Sequence, residues 1–309
     1  MKLYSISPDG TQYPLPTEED YKKEYIRVEK LVNNARQKGQ EIVVVMGVGF
    51  VGAVMAAIVA DTEAKPPSTN SALSHPRMCA SSSLPSPIYP KFVIGMQRPS
   101  ARSYWKIPLI NKGISPVKAE DPEVAPMIQR CVLEKKTLTA TFTYDVLQFA
   151  DVVVVDIQLD YTKKDIGNVR IGHVDMAALE ESFDIIAQRI KPDCLVLIET
   201  TVAPGTTEQI AYPAMKKVFR KRGIETDPLL AHSYERVMPG RDYVASVRDF
   251  WRVCSGVNEE AKRRVVKFLN EVINTEKYPL TVLDRPIESE TAFAGLQRWA
   301  QSLASTTHM

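Results

Sequence analysis

The sequence predicts an α/β protein built on a doubly wound parallel sheet. Two observations make that prediction. Continuous apolar runs rich in β-branched residues, such as "EIVVVM" at 41–46 and "ADVVVVDIQ" at 150–158, have the composition of strands buried on both faces. Segments of helical character separate the runs, and strands that alternate with helices pair in parallel through right-handed crossovers. An antiparallel α+β arrangement would need hairpin turn signals, and the sequence offers none.

The elements follow in order. Residues 1–38 read as an N-terminal extension, in which Glu18–Lys38 is highly charged with Tyr25, Val28, Leu31 and Val32 at helical spacing. That pattern predicts an amphipathic helix. Residues 39–285 read as the main domain. It opens on a strand at Glu41–Met46, a helix from Gly52 to Ala60 and a second strand in "KFVIGMQ", 91–97. A helix follows in "DPEVAPMIQRCVLEKK", starting from an Asp-Pro cap signal. The strand "ADVVVVDIQ" precedes the helix "VDMAALEESFDIIAQRI". Then come the strand "CLVLIET", a Pro-Gly turn and a helix from Thr206 to about Arg222. Later strands are expected in "PLLAHSYE" and "FWRVCSGV", and a last helix in "NEEAKRRVVKFLNEVI". Two stretches break the pattern. An insertion at 64–90 is dense in Ser and Pro from Pro66 to Pro90 and predicts a mobile surface loop. Residues 286–309 read as the truncated start of a further, central helix.

Bulk properties exclude several classes. A net charge of +2 gives no electrostatic reason for a nucleic-acid partner. No apolar run approaches the ~20 residues that span a bilayer, and the N-terminus lacks a signal-peptide segment, so a cytoplasmic protein is expected. The four cysteines, Cys79, Cys131, Cys194 and Cys254, form no C-x-x-C pair, which predicts reduced thiols and no metal.

Chemistry concentrates first in "GVGFVG", residues 47–52, directly after a strand and leading into a helix. In a Rossmann-like cofactor domain, Gly47 allows the tight turn and Gly49 lets a diphosphate approach the main chain. Gly52 lets helix and strand pack closely. Val48, Phe50 and Val51 complete this candidate loop, whose helix end favours an anion. A turn that binds nothing, or a loop that holds S-adenosylmethionine, would share the spacing. An NAD site places an acid at the end of the second strand, where it bonds the ribose hydroxyls. Here Gln97 takes that place beside Arg98. Gln97 retains hydrogen-bonding capacity without charge, and Arg98 tolerates a 2′-phosphate, so NAD is preferred and NADP stays open.

Further along lie "ADVVVVDIQLD", "IETTVAPGTTEQI", "HSYERVMPGRDY" and the terminal "SETA". In this order, with "GVGFVG", they resemble the UDP-glucose/GDP-mannose dehydrogenase family of NAD-dependent nucleotide-sugar 6-dehydrogenases. The resemblance runs from about residue 40 to 292 and leans toward the branch acting on UDP-N-acetylhexosamines rather than UDP-glucose. It implies oxidation of a sugar C6 alcohol to the uronic acid in two hydride transfers: the aldehyde left by the first is captured by a cysteine thiolate, and the thioester left by the second is hydrolysed by water. It also implies that Thr200 or Thr201 lies near the cofactor. Glu235 then stands at the reacting sugar or its hydrolytic water, as a base if burial raises its pKa. Arg236 holds sugar or phosphate oxygens. In the family a dimer forms along the central helix.

Departures from that pattern shape the expectation for activity. The family's lysine and asparagine after "SETA" are replaced by Phe293 and Gln297, and its nucleophilic cysteine has no counterpart. Loss of one oxyanion donor costs roughly 3 kcal/mol of transition-state stabilisation. The expectation is therefore a chain that keeps the cofactor half and turns over no substrate alone, or a non-catalytic dinucleotide-binding protein. Structural roles compete at each position. Thr200 and Thr201 can bond main chain, Glu235 can pair with Arg236 or Arg241, His232 can be structural, and Cys254 can be a buried, inert thiol.

Overall fold

The computed structural model describes residues 3–64, 89–157, 161–163, 172–174, 177–238 and 240–292. Its centre is an eight-stranded sheet. In chain order the strands are β3 (Glu41–Met46), β4 (Lys91–Met96), β5 (Leu138–Thr141), β6 (Val152–Val155), β9 (Leu195–Ile198), β10 (Leu229–His232), β11 (Val253–Gly256) and β12 (Thr281–Val282). Two hairpins lie apart from it, β1 (Tyr4–Ile6) with β2 (Gln12–Pro14), and β7 (Tyr161–Lys163) with β8 (Gly172–Val174). The helices are α1 (Glu18–Gln37), α2 (Phe50–Asp61), α3 (Lys106–Asn111), α4 (Val124–Gln129), α5 (Ala177–Arg189), α6 (Tyr212–Lys221), α7 (Tyr243–Arg248) and α8 (Glu259–Val272).

Strand order in the sheet is β12-β11-β10-β9-β6-β3-β4-β5. Every pair is parallel except β10 with β11. The period-2 alternation of β3 explains the layering. Val43 and Val45 pack into the core under α2, α4 and α8, while Ile42, Val44 and Met46 pack into the core under α1, α5 and α6. Helices cover both faces, so every residue of β3 after Glu41 is buried. Helix α2 is apolar nearly all round, and its run from Gly52 to Ala60 is wholly buried, as a helix with no polar face requires.

The doubly wound architecture matches the sequence prediction, and most elements begin within a few residues of their expected starts. Several features differ. Helices α3 and α7, strand β12 and the antiparallel β1–β2 hairpin were not expected. Strand β5, "LTAT", was not expected, because an edge strand of threonines lacks the β-branched apolar run that marks its neighbours. The reversal of β11 against β10 and the β7–β8 hairpin add antiparallel pairing that no turn signal announced. The Ser/Pro segment expected to be mobile falls mostly outside the described residues, as do Phe293, Gln297 and Cys79.

Helix α1 belongs to the fold physically. Thr17 and Asp20 form a reciprocal capping box at its start. Val28, Val32 and Ala35 enter the core, and Arg36 reaches Asp151 at the foot of β6.

Candidate active site

Strand β3 sits between β4 and β6. The chain steps outward from β3 through β4 to β5, then returns to β6 on the other side of β3. Such a reversal opens a crevice at the carboxyl ends of the two strands. The glycine loop and Asp156 meet there. Gly47 has φ +105°, and a Cβ on it would stand 2.3 Å from the Asp156 carbonyl oxygen. A Cβ on Gly52 would stand 1.8 Å from the Gly47 carbonyl oxygen. Gly49 is the N-cap of α2, and a Cβ there would meet nothing within 4 Å. The outer glycines are thus locked against protein main chain, while the middle one faces open space at a helix start.

This crevice opens into a cleft of about 550 Å³, lined among others by Gly47, Gly49, Gln97, Arg98, Tyr144 and Asp156. Gln97 Oε1 accepts the Val48 N–H at 3.2 Å, which braces the glycine loop and leaves the Gln97 amide nitrogen as its remaining donor. Arg98 is exposed and lies 3.7 Å from the equally exposed Glu181. Phe50 stacks on Tyr243 at 4.7 Å, and the Tyr243 hydroxyl donates to the Phe50 carbonyl. Val51, in the first turn of α2, is partly exposed.

A second group of side chains gathers where β6, β9 and β10 end. Arg252 and Glu199 are both fully buried, and Arg252 Nη1 donates to Glu199 Oε1 at 2.8 Å. Among the described residues, Arg252 Nε and Nη2, Glu199 Oε2, Ser233 Oγ and Asp156 Oδ2 are buried with no hydrogen-bond partner. Burial, then the charges of Glu199 and Glu235, push the Asp156 carboxyl well above its ordinary value, against the pull of Arg252. Burial likewise raises Glu199, with Arg252 opposing. Glu235 is raised by burial although its Oε2 accepts the Val237 N–H at 2.6 Å. Burial thus raises all three carboxyls, fully buried Asp156 and Glu199 and partly buried Glu235, with the one guanidinium of Arg252 opposing each shift.

The remaining candidates divide. The Thr200 hydroxyl accepts the Ile157 N–H at 3.0 Å and lies 3.1 Å from the Val155 carbonyl, so it straps β9 to β6. Thr201 is partly exposed on the same turn. Arg236 makes no ion pair with Glu235 among the described residues, and its guanidinium lies over the Phe250 ring at 4.6 Å. His232 is buried, its Nδ1 2.7 Å from Ser289 Oγ, and burial lowers its pKa to about 3. It is a neutral structural side chain. Burial raises Cys254 to about 11 and Cys131 to about 12, and raises Cys194 as well.

Residues 286–292 are helical and dock on this edge. Glu290, 1% exposed, accepts the Gly205 N–H at 2.5 Å, the Thr207 N–H at 2.9 Å and the Thr207 hydroxyl at 2.6 Å. The "APGT" turn is thereby held from outside. Among the described residues no group of three His, Cys, Asp or Glu is placed to hold a metal. No helix there is long and apolar enough to cross a membrane.

Comparison with known proteins places this geometry. The family description "UDP-glucose/GDP-mannose dehydrogenase family, NAD binding domain" matches residues 102–274, more than half of the chain. The chain belongs to the UDP-glucose/GDP-mannose dehydrogenase family. It is 28% identical over 164 residues to a UDP-N-acetyl-D-mannosamine dehydrogenase of Pyrococcus horikoshii, a match covering 53% of this chain and 36% of that one. A solved NDP-N-acetyl-D-galactosaminuronic acid dehydrogenase from Methanosarcina mazei superposes with a TM-score of 0.65 at 26% identity, covering 86% of this chain and 48% of the other. The fold of a GDP-mannose dehydrogenase from Pseudomonas aeruginosa is also shared, with a TM-score of 0.63 at 17% identity, over 86% of this chain and 51% of that one. The chain therefore spans about a third to a half of the length of these relatives.

The glycine loop lies before the span matched by the family description, so its geometry is evidence separate from that match. Sequence reading missed the Asp156–Glu199–Arg252 cluster and the Glu290 clasp. A charged residue beside a buried strand run, as in "LIETT" and "FWRVC", was the available signal for the first.

Proposed function

We propose that this chain binds NAD across the glycine loop and serves as the cofactor half of a UDP-sugar 6-dehydrogenase. One observation carries the reading. At the switch point, Gly47 and Gly52 are sealed by main chain while Gly49 faces space at a helix N-terminus, a cradle that a side chain would fill. Bound NAD would supply the hydride acceptor for oxidation of the sugar C6 alcohol. The protein groups at that edge then have distinct tasks. Glu235, held proton-prone by burial, exchanges a proton with the sugar hydroxyl or a hydrolytic water. Arg236, backed by the Phe250 ring, offers its forked donors to substrate oxygens. Thr201 faces the cofactor, and Thr200 fixes the β6–β9 edge beneath it.

The described thiols favour a second reading of the isolated 309-residue chain as a dinucleotide binder without turnover. Cys131, Cys194 and Cys254 are buried with raised pKa, so none offers a thiolate for covalent capture. Calorimetry should register NAD and ignore S-adenosylmethionine. An NADH-absorbance assay with UDP-N-acetylmannosamine, UDP-N-acetylglucosamine and UDP-glucose should show no steady rate. Binding of S-adenosylmethionine in preference to NAD would refute the cofactor reading, and sustained turnover would refute the inactivity of the chain.

A further inference from the structure

The N-terminal hairpin lies outside the glycine loop and outside the span matched by the family description, 102–274, but its contacts lead to the cleft. In β1 the outward residues Tyr4 and Ile6 are exposed, while the inward one, Ser5, is a fully buried hydroxyl. A strand that exposes apolar residues and buries a hydroxyl needs a polar partner beneath it. Ser5 has that partner 100 positions away, where its Oγ accepts the Trp105 N–H at 3.1 Å. Tyr13, directly across the hairpin from Ser5, holds its ring centre 5.9 Å from the Lys112 ammonium. Trp105 and Lys112 cap the two ends of α3, so one cross-strand pair of the hairpin meets both ends of that helix.

Helix α3 and the turns before it make the wall of the cleft beyond β4. Arg98, Ser100, Arg102, Ser103, Trp105 and Lys106 line it there. This wall follows Gln97 at the tip of β4, the end at which a dinucleotide places its adenosine. Within the run, the N–H groups of Ser103, Tyr104, Lys106 and Ile107 bond nearby main-chain carbonyls, and that of Trp105 goes to the hairpin. The Trp105 indole N–H donates to the Arg102 carbonyl at 3.0 Å, which ties its ring to the same wall. Helix α1 adds a second grip from behind. Tyr21 meets Phe142 edge-on at 4.9 Å, and Phe142 meets Tyr104 at 5.7 Å. Arg27 of α1 and Asn111 of α3 both donate to the Ala140 carbonyl of β5, each at 2.9 Å.

We infer that the N-terminal hairpin sets the adenosine wall of the cleft, and that Ser5 is a positioning residue for the cofactor, acting through the Trp105 amide. This role presupposes the dinucleotide reading of the glycine loop and deepens it. The loop cradles the diphosphate, and a segment far away in sequence fixes the surface on which the adenosine rests. Removing the Ser5 hydroxyl leaves the Trp105 N–H buried without an acceptor. The wall then shifts until that amide finds water, and the surface offered to adenosine shifts with it.

The test is calorimetric titration of the full 309-residue chain with NAD and with ADP, which carries the adenosine and diphosphate alone. Ser5→Ala should weaken both by about fivefold and by the same factor. Tyr21→Leu, which loosens the second grip, should weaken both by about twofold and carries the test if Ser5→Ala does not fold. Asn258→Ala removes the cap of α8 beside β11, so it should lower the melting temperature and leave both affinities unchanged. Circular dichroism melts compare the stability of the three variants. Parent-like affinities in folded Ser5→Ala, or an equal loss in Asn258→Ala, would overturn the positioning role and leave the glycine-loop reading intact. Weaker NAD binding with ADP unaffected would also overturn it, because the loss would then lie away from the adenosine. Failure of the unaltered chain to bind NAD would remove both.

Discussion

The two edges of the central sheet treat buried charge in opposite ways. At the amino edge, Lys91 is 1% exposed, yet its ammonium meets Glu41 at 2.6 Å and Glu271 at 2.7 Å and lies over the Phe268 ring. Nearby, Asp151 accepts from Arg36, Lys191 and the Ile42 N–H, each at 2.8 Å. Burial raises the Asp151 pKa, but those donors outweigh it and hold the carboxyl below its ordinary value. At the carboxyl edge, Arg252 is equally buried, and among the described residues two of its nitrogens have no partner, nor does one carboxyl oxygen each of Glu199 and Asp156. One edge is electrostatically closed, and the other is left open. Unmatched buried polar groups destabilise a fold, and they concentrate where a ligand or solvent completes them. The edge that carries the glycine cradle is the one that tolerates this cost.

The sharpest way to break this comparison is to remove the guanidinium. Arg252→Ala should destabilise the protein by about 3–5 kcal/mol in denaturant titrations, because it strands the Glu199 carboxyl in a dry site. Replacing both partners should then recover most of that loss. Arg252→Met combined with Glu199→Met is expected within about 1–2 kcal/mol of the parent, since well-packed apolar residues replace buried ion pairs at little cost. A double variant as weak as the single one would mean that packing, rather than stranded charge, sets the effect.

Asp156→Asn addresses protons at the same edge. In the unfolded chain this carboxyl releases its proton near 3.8, whereas the folded protein retains it. Folding therefore takes up a proton above that pH, and stability falls as pH rises from about 4 toward the raised folded pKa. The slope attributable to one such group is at most about 1.4 kcal/mol per pH unit. Asparagine should flatten the decline, so that the variant melts higher than the parent near neutral pH and no higher at pH 4. Parallel curves for the two proteins across that range would contradict proton storage by Asp156. His232 acts in the opposite direction. Lowered to about 3, it withholds a proton that the unfolded chain takes up near 6.5, so its stabilisation fades as pH drops between those values.

The smallest effect belongs to the closed edge. Lys91→Met should cost only about 1 kcal/mol, because the carboxylates of Glu41 and Glu271 are partly exposed and regain water when the ammonium is gone. A loss as large as that of Arg252→Ala would erase the contrast between the two edges.

The parts that could be read from the chain and the parts that could not separate along physical lines. The β3–loop–α2 unit was legible because its signals are local. An unbroken valine run demands burial, and the glycine spacing records a close contact of Gly52 with the Gly47 carbonyl inside the loop, whereas the contact of Gly47 with Asp156 is long-range. Helix α1 was legible from its apolar stripe. The division of labour between Thr200 and Thr201 was not. They are neighbours of one type, and only the direction of β9 relative to β6 decides which hydroxyl reaches the adjacent main chain. The Glu199–Arg252 pair joins residues 53 positions apart, a register set by the β9–β10–β11 arrangement rather than by either segment. Strand β5 escaped notice because threonine marks a strand less clearly than valine does.

The grip of Glu290 on Gly205 and Thr207 has one more effect. The same short helix is pegged a residue earlier, where Ser289 meets both His232 and Ser255 at 2.7 Å. Two adjacent anchors on different strands and a turn leave its first residues little freedom to swivel. Residues 286–292 are therefore fixed against the same sheet edge that carries the glycine loop.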